Sequence, residues 1–201
     1  MATYPSDTQL PSSQVLVDPQ VSVSPVGRLL TDVFAGGYST SPSVTLTRTA
    51  NVTAYTATAI INTAIAGAVP LSFPNCVRVS GGGGLLQGIT ILDENNAGTP
   101  AQLTLYLFTA TPTNGSVNDA AALALANADM PHCLGAFPVS VSTLVNAGAG
   151  NAGSRFYQVF PSAVNFTIPS GTTLYGLLAV TNAYTPVSAE VFVITLNIVQ
   201  L

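Results

Sequence analysis

The 201-residue chain is charged at only 6% of its positions and hydrophobic at 48%, with four basic residues against eight acids for a net charge of -4. An ordinary soluble protein is about one-quarter charged, so the surface must be polar yet almost uncharged. The four cations, Arg28, Arg48, Arg78 and Arg155, are far apart, which excludes a surface built to track nucleic-acid phosphates and speaks equally against anionic membranes.

Residues 1–42 read as an extended N-terminal arm. Pro5, Pro11, Pro19, Pro25 and Pro42 forbid a long helix and disfavour a central strand, leaving at most one helical turn near "GRLLTDVF". The arm is too apolar for a solvated linker. Val15, Leu16, Val17, Leu29, Leu30, Val33 and Phe34 call for a surface to lie on, either a partner or a neighbouring copy. Its opening, Met1-Ala2-Thr3-Tyr4-Pro5-Ser6-Asp7, is polar and acidic, without the basic stretch and apolar core of a secretory leader.

From residue 43 short strand-like runs alternate with turn signals, and residues 43–201 form the expected domain. "SVTLTRT" (43–49) and "AYTATAII" (54–61) alternate β-branched and polar residues, as strands with one wet face do. The stretch 54–71 is long enough for a membrane helix, but its Thr and Asn residues and Pro70 favour a β-rich core segment. "QGITILDE" places Ile89 and Ile91 on one face and Thr90 and Leu92 on the other. "AQLTLYLFT" opposes Leu103, Leu105 and Leu107 to Thr104, Tyr106 and Phe108.

A short crossover helix is expected over "NDAAALALANADM" (118–130), capped by Asn118 or Asp119. Strand rhythm resumes in "CLGAFPVSVSTLV", "RFYQVF", "VNFTI" and "TLYGLLAVTN". It ends in "AEVFVITLNIVQL", where Phe192, Ile194, Leu196 and Ile198 share a face. Eight to ten strands without a β-α rhythm predict an all-β fold, an antiparallel β-sandwich of jelly-roll type.

Candidate chemistry is thin. Gly81–Gly84 lead into a strand rather than a helix and no lysine follows, so they serve a sharp bend or a close backbone approach rather than a phosphate. Asp93 and Glu94 are neighbours on a strand and point to opposite faces, which suits a solvated turn better than a converging acid pair; nothing around Asp129 or Glu190 marks them. His132 and Cys133 are adjacent, an awkward geometry for a hydrolase dyad, and with Cys76 they fall one ligand short of a structural zinc site. Cys76 and Cys133 are expected as free, buried thiols, though their spacing neither requires nor forbids a bridge. No catalytic residue, cofactor or metal site is therefore assigned.

Taken together, "GGGGLLQGITILDENNAGTPAQLTLYLFTATPTNGSVNDAAALALANADM" and "LYGLLAVTNAYTPVSAEVFVITLNIVQ" resemble the cement or decoration proteins of tailed-bacteriophage heads over about residues 45–201. The resemblance implies a non-enzymatic virion protein, made in the host bacterial cytoplasm. It would sit as a dimer or trimer on the outer face of a shell built from a major capsid protein of the HK97 type. No functional residue is inherited from it. The competing expectation is a receptor- or glycan-binding domain of a virion fibre or adhesin, which would present tyrosines among 38, 55, 106, 157, 175 and 184 at one end of the sandwich. Weak adhesion to host glycans is also compatible with decoration.

Overall fold

The computed structural model describes residues 21–23, 29–31, 38–94, 101–112, 117–145 and 154–201, and it divides the chain into two units, Met1–Gly37 and Tyr38–Leu201. In the first unit, β1 (Val21–Val23) and β2 (Leu29–Thr31) pair antiparallel, with Ser22 opposite Leu30. The helical turn expected near residues 27–34 is thus replaced by a strand at Leu29–Thr31. An isolated helical turn forms almost no hydrogen bonds, whereas β-branched Val21 and Val23 offer a ladder.

The second unit begins at β3 (Tyr38–Thr40), which pairs with the last strand, so residues 38–42 of the expected arm belong to the body. Ten further strands follow: β4 (Ser43–Thr47), β5 (Ile60–Ile61), β6 (Leu71–Phe73), β7 (Gly83–Asp93), β8 (Leu103–Phe108), β9 (Cys133–Val145), β10 (Arg155–Val159), β11 (Val164–Thr167), β12 (Leu174–Val180) and β13 (Val191–Gln200). Every pairing is antiparallel. One sheet runs β4–β13–β7–β10, with β3 continuing β4 along β13 and β11 continuing β10 along β7. The other runs β9–β8–β12–β5, with β6 also on β12.

The pairings nest: β4 with β13, β5 and β6 with β12, β7 with β10 and β11, and β8 with β9. A long hairpin rolled up on itself makes these pairs, which is the jelly-roll sandwich. The two sheets share β9, whose first part lies against β8 and whose second part reaches β10 through Ser140, Val141 and Val145.

Strand parity builds the core. In β13, Phe192, Ile194, Leu196 and Ile198 are buried while their neighbours are half-buried. Leu86, Ile89 and Ile91 of β7 meet them. The odd step from Leu86 to Ile89 is absorbed where Asn197 faces Gly88 and Ile198 faces Leu86, leaving Gln87 as a bulge in the exposed surface. Leu103, Leu105 and Leu107 of β8 close the core from the other sheet.

The second sheet is covered on its outer face too, where Phe108, Leu177, Ala179 and Ile60 are buried. The connection from β8 to β9 explains this cover. It leaves β8, places Ala122 beside Ala59 and Ala121 against Ile60 at the β5 edge, and returns with Thr109 N–H bonded to the His132 carbonyl. In the sheet order β12 lies between β8 and β5, so the connection has to cross it.

The short helix expected over 118–130 does not form on this path. Ala120 adopts a left-handed φ of 62°, the N–H groups of Ala120 and Leu123 bond to the distant carbonyls of Ile60 and Thr58, and only a 3₁₀ turn, Met130–His132, follows. Pairing with the β5 edge outweighs the alanine-rich propensity. Among the described residues no helix is long and apolar enough to cross a membrane.

The glycine run has two roles. Gly81 turns the chain at φ 78°, and a Cβ at Gly84 would lie 2.5 Å from the Phe166 ring packed across it. A side chain would be strained at the first place and would clash at the second, in keeping with the bend-and-approach reading.

Candidate functional site

Eight charged residues fall within 38–201, and six of them, Arg48, Asp93, Asp119, Asp129, Arg155 and Glu190, are buried. Only Arg78 and Glu94 are exposed, an inversion of the usual arrangement in which charge is solvated. Five of the six buried charges gather at one end of the sandwich, where β4 and β7 finish and β10 and β13 begin.

Strand parity carries them inward. Arg48 is in phase with buried Leu46, Asp93 with Ile89 and Ile91, Arg155 with Tyr157, and Glu190 with Phe192 and Ile194. Asp119 arrives from the crossover, its N–H bonded to the Ala64 carbonyl.

Arg48 is the hub. Its Nε donates to the Tyr55 hydroxyl, and that hydroxyl donates to Asp119 Oδ1. Its Nη1 donates to the carbonyls of Asn51 at 3.2 Å and Val187 at 3.1 Å, and its Nη2 to Asn51 Oδ1 and Asp119 Oδ2, each at 3.3 Å. The five N–H groups of the guanidinium are all engaged. Asp119 Oδ1 also accepts the Asn62 N–H at 3.0 Å, and the Asn62 amide bridges the Val69 and Val117 carbonyls.

A second group adjoins the first. Tyr55 and Tyr184 exchange backbone hydrogen bonds and stack with ring centres 6.1 Å apart, and the Tyr184 hydroxyl donates to Glu190 Oε1. Glu190 Oε2 has no hydrogen-bond partner, and the Tyr157 hydroxyl makes none of good geometry, although the Arg155 charge lies near it.

Burial sets the protonation of these groups. It raises the phenols of Tyr55, with help from Asp119, and of Tyr184, with help from Glu190, so both remain neutral donors. Tyr157 is pushed up to about 12 by burial and the Asp93 charge. Glu190 is pushed up to about 7 by burial and Asp93, against the opposing pull of Tyr184 and Arg48. Apart from half-buried Asn51, no side chain of the network is more than 6% exposed, so its groups serve one another and bind together the segments 48–62, 117–119 and 184–190.

The residues singled out from sequence are distributed elsewhere. Asp93 is not in a solvated turn, because β7 continues through it and it faces Arg155 and Phe192; Glu94 alone is exposed. Cys76 and Cys133 are free thiols, Cys76 buried and Cys133 half-buried. His132 ends the 3₁₀ turn, half-buried. Among the described residues no group of three or more His, Cys, Asp or Glu could hold a metal ion. Tyr55, Tyr157 and Tyr184 are core residues, Tyr106 and Tyr175 are half-buried, and Tyr38, beneath the Arg78 guanidinium at 4.1 Å, is 59% exposed.

Of the arm positions, Leu29 and Leu30 lie in β2, while Val15, Leu16, Val17, Val33 and Phe34 lie outside the described residues. Glu190 and Arg48 were placed in strand runs by the sequence but not marked as a site, because a lone charge in an alternating strand is expected on the wet face; the phase each shares with buried Phe192 and Leu46 finds them. No protein-family model and no curated protein matches the chain.

Proposed function

We propose that the protein is a non-enzymatic structural component of a virion, a cement or decoration protein that binds the major capsid protein on the outer face of a phage shell and associates with copies of itself across the joints between capsomers. One observation carries the reading: the body turns six of its eight charges inward and presents a surface with one cation and one anion. Such a surface is suited to being covered, since docking it desolvates almost no charge.

The mechanism is linkage. Area buried across a joint favours the assembled state by about 25 cal/mol per Å² of apolar surface before ordering costs, so a bound copy raises the shell's resistance to heat and internal pressure. The buried network supports this role by holding the connections at one end of the sandwich in place. The arm, through Val15, Leu16, Val17, Leu29, Leu30, Val33 and Phe34, supplies further apolar contact with capsid protein or a neighbouring copy. A single exposed arginine in the body is a poor basis for binding nucleic acid.

Co-sedimentation of the purified protein with undecorated phage heads, followed by thermal disruption of the loaded particles, tests the reading. Stoichiometric binding with a raised disruption temperature is expected. Protein left in the supernatant would overturn it. A variant lacking residues 1–37, which retains all of β3 to β13, is expected to fold but to wash off the particles.

A further inference from the structure

Glu190 closes the 181–190 connection and is fixed through its backbone on two sides. Its carbonyl accepts the Arg48 N–H at 2.9 Å, and its own N–H reaches the Val187 carbonyl at 3.3 Å. Ala189 before it holds a left-handed φ of 54°, a conformation retained only where the surroundings impose it. The side chain is 0% exposed.

The charged and titratable groups around this carboxyl come from each packed element. Asp93 ends β7, Tyr157 and Arg155 lie on β10, Arg48 follows β4, and Tyr184 is on the same connection, with Tyr55 and Asp119 one step beyond Arg48. The obvious counter-ion cannot reach it. Arg48 has committed every N–H to Tyr55, Asn51, Val187 and Asp119, so the carboxyl is supported only by the Tyr184 hydroxyl and the Val187 backbone, and its Oε2 has no partner of good geometry.

We propose that Glu190 is a proton-operated latch: in its neutral form it holds the 181–190 connection against the buried network, and its ionisation loosens that connection. A carboxylate there would place a second negative charge near Asp93 with one oxygen unsolvated, and the least costly relief is outward movement that admits water. In keeping with this, burial and Asp93 raise the carboxyl from 4.5 to about 7, within the range of ordinary working pH.

The sign follows from proton counting. Between 4.5 and about 7 the folded protein holds a proton that the unfolded chain has released, so stability falls as pH rises through this window and levels off above it. Across the whole window the folding equilibrium constant should drop by about 300-fold. The latch rests on the interior geometry alone and stands whether or not the protein belongs to a shell.

Thermal unfolding and hydrogen exchange of the full chain, each at pH 5.5 and 8.5, test it in the wild type and in Glu190→Gln, an isostere of the neutral acid. The wild type should melt lower at pH 8.5 and lose protection across 181–190 after correction for intrinsic exchange. Glu190→Gln should show neither change. Equal pH dependence in both proteins, or unchanged wild-type protection, overturns the latch. Should the variant fail to fold, the wild type still decides, because the chain has only two glutamates, Glu94 and Glu190. With carboxyl-13C glutamate, titration of the Glu190 resonance near 7 supports the proposal, and its titration near 4.5 overturns it.

Discussion

Arg48 shows why one buried charge can be worth more than its pairwise contacts suggest. Removing its carboxylate partner would leave a guanidinium in a dry interior, and Asp119→Ala should destabilise the fold by about 3–5 kcal/mol in urea denaturation. Tyr55→Phe deletes a neutral hydroxyl between the two charges and should cost about 1–3 kcal/mol. Replacing both ends of the ion pair, Arg48→Met with Asp119→Leu, should cost less than the two single changes added together, the signature of a coupled pair. Cys76 illustrates the converse, a group silenced by its surroundings. Its thiol donates to the Phe73 carbonyl at 3.0 Å and burial pushes it up to about 11, so in the native protein it should resist a thiol reagent at pH 8 and become reactive only after unfolding.

Within the elements, two substitutions separate close approach from backbone strain. Gly84→Ala would drive a methyl into the Phe166 ring where β11 crosses β7 and should lower stability by about 1–3 kcal/mol. Ala120→Gly should raise it by about 0.5–1 kcal/mol, because a left-handed φ favours glycine more than the extra freedom of the unfolded chain penalises it. Both are read from denaturation midpoints.

These elements also mark how far the sequence could be read. The inward faces of β7, β8 and β13 were legible, since period-two alternation is a local property. The 118–130 segment was not: its Ala and Leu composition favours a helix, and only the need to cross β12 and pair with β5 pulls it out straight. Asp93 was misread for the same reason, because a strand's last residue is decided by the partner strand that extends beside it, here Arg155 of β10.

At the level of the whole molecule, the jelly-roll order followed from strand number and turn rhythm, and the nested pairings realise it. The network could not be foreseen as a unit, since Arg48, Tyr55, Asn62, Asp119, Tyr184 and Glu190 come from three separate stretches that meet only when the roll closes. Because β3 to β13 all lie after residue 37, a body of residues 38–201 should unfold in one cooperative transition, which circular dichroism on heating would show.

The inward turn of charge has a kinetic consequence. With Arg78 and Glu94 as the only exposed charges among the described residues of the body, its surface offers no charged patch by which a partner could orient it. Encounters should be productive at the unsteered rate, about 10⁵–10⁶ per molar per second, and nearly unaffected by ionic strength. Tight attachment would then have to come from slow departure, so that once seated the protein would be held by time rather than by attraction at a distance.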